Sequence, residues 1–251
     1  MTFHLDQVVP WGRSFDEYVA MFALEPADFG KRILGCGDGP ASFNADLAAR
    51  GGRVVSADPV YRFTAEEMAF RIDETYPVVL EQTRKNAHEF VWSSIRSVEE
   101  LGEIRLNAMR KFLADYPEGR REGRYVDAEL PELPFAGRSF DLALCSHFLF
   151  LYSAHFDAAF HLQSLRELCR VALEVRVFPV LELGAVRSRH IDGVLAQLTS
   201  EGYLARIVKV PYEFQKGGDE MLTVRFPDTG PPNNQGRSDG PVRRTTSKRT
   251  R

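Results

Sequence analysis

The chain has 251 residues, of which 44% are hydrophobic and 27% are charged. This composition is typical of an ordinary folded enzyme domain with one sizeable core. The sequence contains no apolar run of about 18 residues that would span a membrane, and its first residues lack the basic and apolar regions of a secretory signal. We therefore expect a cytoplasmic protein with no membrane segment.

Charge is distributed unevenly along the chain. Residues 228–251 contain six Lys/Arg and two Asp, a net charge of +4, whereas the whole chain carries −3 and the remainder therefore −7. A net acidic body is a poor match for a nucleic-acid backbone, which argues against a nucleic-acid partner. Because residues 228–251 also have almost no apolar side chains, we predict that they form a disordered basic tail.

The cysteines Cys36, Cys145 and Cys169 are scattered along the chain and form no C-x-x-C pair. Three such cysteines are typical of buried, reduced thiols rather than of a disulfide framework. Since no cluster of Cys, His and Asp occurs at ligand spacing, we expect no metal site.

Residues 1–30 are predicted to form an N-terminal helical segment. Ser14 and Glu17 have the spacing of a capping box, in which two side chains satisfy free amides at the start of a helix. Apolar residues follow at helical spacing, so we expect Tyr18 to face the core.

The stretch from Arg32 to Pro40 is an apolar strand that runs into three alternating glycines, Gly35, Gly37 and Gly39. A second strand ends in Asp58. An open α/β sheet binds a nucleoside with this layout, because glycine lets the ligand approach the backbone and the acid can accept hydrogen bonds from both ribose hydroxyls. The dinucleotide fingerprint G-x-G-x-x-G/A would place Gly or Ala where Pro40 stands, which argues against a nicotinamide-dependent oxidoreductase.

The segment between Asp58 and the third strand, residues 60–124, is longer than a crossover between neighbouring strands requires. Two further capping-box patterns, at Thr64 and Ser97, predict helices, and we expect Pro77 to interrupt what lies between them. The pattern therefore predicts a helical insert above the carboxyl edge of the sheet, where it could act as a lid or form the acceptor pocket. Its acidic and basic residues nearly balance, which argues against an RNA or DNA clamp.

A second motif block follows the insert. A third strand leads into Asp127 and Ala128, and the residues "LPF…SFDL" introduce a fourth strand that ends at Ser146 and His147. Beyond it, the patterns predict a helix over 157–169, a strand over 171–178, a helix over 190–198, and a hairpin of strands over 204–213 and 220–226.

The glycine loop and the second block together resemble the class I S-adenosylmethionine-dependent methyltransferase superfamily, over most of residues 30–227. The resemblance implies a methyltransferase domain over residues 31–227 with a Rossmann-like α/β fold, in which helices cover both faces of a mostly parallel seven-stranded sheet whose last strand is antiparallel. It also implies S-adenosyl-L-methionine as cofactor and transfer of its methyl group to a small-molecule acceptor.

The resemblance further implies which residues form the site. The cofactor-binding positions are Gly35, Cys36, Gly37, Gly39, Asp58, Pro59, Asp127, Ala128, Ser146 and Arg13. Asp58 is expected at the ribose, and Asp127 with Ala128 at the adenine. His147 is either the catalytic general base, since an unperturbed histidine has a pKa of about 6.5, or a cap of the fourth strand.

The chain departs from the family pattern at one position. An acid usually stands two residues before the first glycine, where this chain has Ile33. Asp38, inside the glycine loop, is the residue placed to compensate for it. A non-catalytic cofactor-binding or scaffold protein therefore remains an alternative, alongside the less favoured oxidoreductase.

Overall fold

The computed structural model describes residues 10–227. Residues 1–9 and the predicted disordered tail, residues 228–251, lie outside the described part. Seven strands form one sheet in the order β3-β2-β1-β4-β5-β9-β8. The strands are β1 (Arg32–Cys36), β2 (Arg53–Ala57), β3 (Tyr125–Val126), β4 (Phe140–Ser146), β5 (Ala172–Phe178), β8 (Leu204–Lys209) and β9 (Glu220–Arg225).

The first five strands of this sheet pair in parallel, whereas β9 pairs antiparallel with both β5 and β8. This confirms the predicted mostly parallel seven-stranded sheet with an antiparallel last strand. Two short strands that the sequence did not predict, β6 (Leu181–Glu182) and β7 (Val186–Arg187), form a separate hairpin.

Helices cover both faces of the sheet, as predicted. They are α1 (Phe15–Met21), α2 (Phe43–Ala49), α3 (Ala65–Lys85), α4 (Val98–Arg121), α5 (Ala158–Val171) and α6 (Ile191–Ser200). Side chains of a strand alternate between its faces, so Ile33 of β1 packs with the α1 and α2 side while Leu34 packs with the α5 and α6 side. Burial of both faces explains the almost continuous apolar run of the central strands.

The capping box at the start of α1 is present as predicted, because Ser14 accepts from the Glu17 amide and Glu17 accepts from the Ser14 amide. Tyr18 is completely buried, and its ring stacks on Phe43 of α2 at 4.6 Å between centroids. The N-terminal helix is thereby fixed against the sheet beside the glycine loop.

The two long helices α3 and α4 lie between β2 and β3 and pack in one buried cluster, to which α3 contributes Met68 and Ile72 and α4 contributes Phe112 and Tyr116. The expectation that Pro77 interrupts the helical pattern is wrong, because Pro77 lies inside α3. Pro77 is exposed, so water can satisfy the carbonyl that loses its partner to the missing N–H. Within residues 10–227, no helix is long and apolar enough to cross a membrane.

Candidate active site

A cavity of about 670 Å³ opens where β1, β2 and β4 end. Sites for small ligands typically measure about 300–1,000 Å³, and a ligand of an open α/β sheet binds at this carboxyl edge. Each of the three strands contributes residues to the wall: Gly37 to Gly39 after β1, Asp58 and Pro59 after β2, and Ser146 and His147 at the end of β4. The structure therefore brings the predicted motifs together around one cavity.

The glycine loop has a backbone that side chains would disturb. Gly37 and Gly39 have φ angles of 69° and 52°, in the left-handed region that favours glycine. A Cβ on Gly37 would lie 2.8 Å from the Cβ of Phe148. The loop after β1 consequently presents bare backbone at both glycines, with the side chain of Asp38 between them and Cys36 at the strand end.

Asp58 joins the second strand to this loop. One oxygen of its carboxylate accepts from the Gly39 N–H at 2.8 Å, and the other accepts from the Val60 N–H at 2.9 Å. Burial raises the pKa of Asp58 to about 6, although both N–H groups favour the charged form. Each carboxylate oxygen has more than one acceptor site, so Asp58 can hold the loop and accept from a ligand in the cavity as well.

Asp38 is a second buried acid on the cavity wall. Its carboxylate accepts from the Tyr18 hydroxyl at 2.8 Å and from the Ser56 hydroxyl at 2.6 Å, and burial raises its pKa to about 6. A Cβ on Gly35 would overlap this carboxylate, at 1.8 Å from one of its oxygens. The absence of a side chain at Gly35 therefore leaves room for the Asp38 carboxylate. Ile33, two residues earlier, is completely buried in the core.

Asp127 and Ala128 are placed differently from each other. The Asp127 side chain is 47% exposed and lies 3.6 Å from the guanidinium of Arg62, whereas Ala128 borders the cavity. Asp127 is thus outside the cavity wall, and its contact with the adenine stays a prediction.

Ser146 and His147 form the end of β4. The Ser146 hydroxyl lies 3.0 Å from Nδ1 of His147, and the His147 backbone N–H donates to the carbonyl of Phe178 at 2.7 Å. His147 has a φ of 52°, a strained conformation that is concentrated at functional sites. Burial lowers the pKa of His147 well below its usual value, and the charges of Arg13 and Arg105 lower it further. The imidazole is therefore neutral at pH 7.

The sequence reasoning did not find a buried charged cluster that borders the same cavity. Glu17 of α1 accepts from the guanidinium of Arg105, from the Tyr212 hydroxyl at 2.9 Å and from the Ser14 amide at 2.9 Å. Arg105 lies on α4 and is 1% exposed, and Tyr212 lies between β8 and β9. The insert, the N-terminal helix and the last hairpin thus meet at one carboxylate.

Arg13 completes this cluster. Burial lowers the pKa of Arg13 to about 10, with a further decrease from the neighbouring charge of Arg105. Burial would raise the pKa of Glu17, but the guanidiniums of Arg105 and Arg13 outweigh it and lower that pKa to about 2. All three groups are therefore charged at neutral pH, two positive and one negative.

The cavity thus lies at the carboxyl edge of a Rossmann-like α/β sheet, which is mostly parallel and has an antiparallel last strand. The chain is 32% identical over 225 residues to the uncharacterized protein MJ0045 of Methanocaldococcus jannaschii, a match that covers 88% of this chain and 98% of that protein. The chain belongs to the same family as MJ0045. No protein-family model matches the chain.

Several solved methyltransferase structures are similar to the chain at low identity. Magnesium protoporphyrin IX methyltransferase from Synechocystis PCC 6803 with bound SAM has a TM-score of 0.44 and 12% identity, covering 85% of this chain and 78% of its own. A SAM-dependent methyltransferase from Aquifex aeolicus has a TM-score of 0.40 and 16% identity, and the match covers 83% of this chain and 90% of that protein. Values this low do not carry an activity from those proteins to this chain.

Proposed function

We propose that the protein is an S-adenosylmethionine-dependent methyltransferase with a small-molecule acceptor. One observation carries the proposal: the left-handed glycine loop, the strand-end carboxylate of Asp58 and the Ser146–His147 pair border one ligand-sized cavity. The bound cofactor supplies a methyl group that is already activated on a sulfonium. The protein then has to align the acceptor and, where required, remove its proton.

The residues on the wall fit such a cofactor. Gly37 and Gly39 present backbone without side chains on either side of Asp38, and Asp58 has acceptor capacity left for ribose hydroxyls. Asp38 supplies, from within the loop, the buried acid that the Ile33 position lacks. Tyr18 and Ser56 hold its carboxylate in place, and they favour its charged form by donating hydrogen bonds to it.

The acceptor is proposed to bind beyond the glycine loop, against the insert. Residues of α3 and α4 and of the segment between them border the cavity, among them Thr83, Phe90 and Leu101. His147 faces the same space and is neutral, so its imidazole can take a proton from an acceptor once the ligand compensates the nearby positive charge.

The proposal is tested by calorimetric titration of the full chain with S-adenosylhomocysteine and with NAD. We expect saturable binding of S-adenosylhomocysteine and no detectable binding of NAD, because the glycine loop departs from the dinucleotide fingerprint at Pro40. Transfer of label from methyl-labelled cofactor to a panel of small-molecule acceptors then separates an enzyme from a non-catalytic binding protein. Tight binding of NAD alone would reject the assignment.

The affinity for S-adenosylhomocysteine is expected to depend on pH. The pKa values of Asp58 and Asp38 are raised from 3.8 to about 6, so below pH 6 the free protein holds protons that a hydrogen-bond-donating ligand has to displace. Affinity should therefore be constant above about pH 7 and fall as the pH decreases from 6 to 5, by up to about tenfold per unit for each coupled acid. An affinity that does not change between pH 5 and 8 would contradict this account.

The insert is expected to act as a lid. Phe90 stacks on Phe214 at 4.9 Å between ring centroids, the Val91 N–H donates to the Phe214 carbonyl at 2.7 Å, and the Lys216 N–H donates to the Glu89 carbonyl at 2.9 Å. These contacts join the insert to the β8–β9 connection beside the cavity. S-adenosylhomocysteine should slow amide exchange over residues 86–105 and 211–219 as well as in the glycine loop.

Hydrogen-exchange mass spectrometry with and without the ligand measures this effect. Helix α6, which contributes no residue to the cavity wall, is the internal control and should keep its exchange rates. Protection limited to the glycine loop and Asp58 would show that the insert does not close over the ligand.

A further inference from the structure

The charged cluster holds more positive than negative charge. Arg13 and Arg105 both border the cavity, and Glu17 is the carboxylate that pairs with Arg105 and acts on Arg13 through its charge. Among residues 10–227, the Nε atoms of both arginines are buried and have no hydrogen-bond partner. Buried guanidinium donors without a partner are unfavourable. The two guanidiniums therefore keep positive charge that is only partly compensated, and an anion in the cavity that they border would offset it.

Neighbouring acids do not supply that anion. Glu17 is already shared by Arg105, Tyr212 and Ser14. Asp38 is held by Tyr18 and Ser56 at the glycine loop, and the charges that act on Arg13 come from Arg105 and Glu17 rather than from Asp38. The guanidinium of Arg13 donates to the Trp11 carbonyl at 3.3 Å and keeps its other donors. Two guanidiniums with spare N–H groups are the preferred partners of a carboxylate.

The surroundings of the pair specify what the anion is attached to. Leu101, Phe90 and Phe214 border the cavity on the insert and hairpin side, and Phe178 borders it at the end of β5. This wall is apolar, and Arg105 itself comes from the insert rather than from a strand end. A ligand that reaches the pair therefore combines one anionic group with an apolar body.

We propose that Arg13 and Arg105 form a carboxylate subsite and that the methyl acceptor is a small acid with an apolar body. This inference rests on the proposed methyltransferase function. The amino-acid arm of the cofactor carries an ammonium beside its carboxylate and so brings no net negative charge, whereas an acid acceptor does. The charges of both arginines also lower the pKa of His147, so a carboxylate bound between them would return that imidazole toward a more effective base.

The test compares acids with their uncharged amides on the full chain. Phenylacetate, cinnamate and octanoate, each paired with its amide, are titrated with and without S-adenosylhomocysteine. We expect at least one acid to bind tenfold or more tightly than its amide, and Arg13→Gln to abolish that preference. Arg105→Gln, which leaves the buried Glu17 without its ion-pair partner, should abolish it too, provided that circular dichroism shows the variant to be folded. Arg13→Gln alone decides the test if Arg105→Gln does not fold. Arg110→Gln, the same change at an exposed position of α4, should keep the preference. Equal binding of every acid and its amide would overturn the subsite, as would no binding at all.

A second measurement separates the acceptor from the cofactor. The same variants are titrated with S-adenosylhomocysteine and with 5′-methylthioadenosine, which lacks the amino-acid arm. The proposal assigns Arg13 to the acceptor, in place of the cofactor contact that the resemblance implied. We therefore expect both affinities to stay within twofold of the unsubstituted protein in each variant that folds. A tenfold loss confined to S-adenosylhomocysteine would assign the pair to the cofactor's own carboxylate and overturn the proposal. Should the unsubstituted protein bind no S-adenosylhomocysteine, the methyltransferase function fails, while the acid preference measured without it still decides the subsite.

Discussion

Glu17→Gln is expected to destabilise the protein by about 3–5 kcal/mol, because removal of one partner of a buried ion pair leaves an uncompensated buried charge. Arg105 is 1% exposed and forms an ion pair with Glu17. Arg13 adds a second buried cation to this cluster. Glutamine keeps the shape of the side chain and can still accept from the Ser14 amide. The loss of stability therefore measures the contribution of the negative charge. Chemical denaturation gives the free energy of unfolding.

A matched control and a double variant define this effect. Glu103→Gln makes the same change at an exposed position of α4 and should alter stability by less than about 0.5 kcal/mol. Glu17→Gln combined with Arg105→Met removes both charges of the pair and should cost less than the sum of the single changes. If Glu17→Gln alone is as stable as the unsubstituted protein, the cluster does not hold the three elements together.

The same pair predicts a dependence of stability on pH. The pKa of Glu17 falls from 4.5 to about 2 in the folded state, so its contribution is complete above pH 4.5 and is lost as the pH decreases toward 2. Asp38 and Asp58, whose pKa values are raised, act in the opposite direction, since protonation between pH 6 and 4 favours the folded state. Glu17→Gln should therefore reduce the loss of stability below pH 4.5 and leave the behaviour between pH 6 and 4.5 unchanged.

The sequence was sufficient to predict the sheet and the residues that border the cavity at the ends of its strands. A strand, a glycine turn and a strand-end acid are encoded within short windows, and a parallel sheet then brings its carboxyl ends to one edge without further information. Gly37, Gly39, Asp58 and Ser146 meet at that edge for this reason. The roles assigned to them toward a cofactor remain part of the proposal.

The opposite end of the cavity depends on tertiary packing that no local pattern encodes. Glu17 lies 88 positions from Arg105 and 195 positions from Tyr212. The sequence pattern indicated only a capping role for Glu17, and Glu17 does cap α1. The available signal was Arg105, a charged residue between Leu101 and Met109 on the apolar face of α4, where a cation requires a buried partner.

Asp58→Ala is expected to weaken binding of S-adenosylhomocysteine by about 1–3 kcal/mol, or roughly 5- to 150-fold, because a charged acceptor in a buried site is lost. Asp58 has a second task, since it accepts from the amides of Gly39 and Val60. A loss of affinity in this variant would therefore follow either from the ribose contact or from a displaced glycine loop. Asp127→Ala, at a half-exposed acid, removes a carboxylate that is expected at the adenine rather than at the ribose.

Two ligands that differ only at the ribose distinguish these causes. Adenosine should bind the unsubstituted protein more tightly than 2′,3′-dideoxyadenosine, because only adenosine can donate two hydroxyl hydrogen bonds to a carboxylate. If Asp58 is the ribose acceptor, Asp58→Ala removes this preference and Asp127→Ala retains it. If both ligands lose affinity equally in Asp58→Ala and the preference survives, the carboxylate acts only by holding the loop through Gly39, and another group on the wall must accept from the ribose.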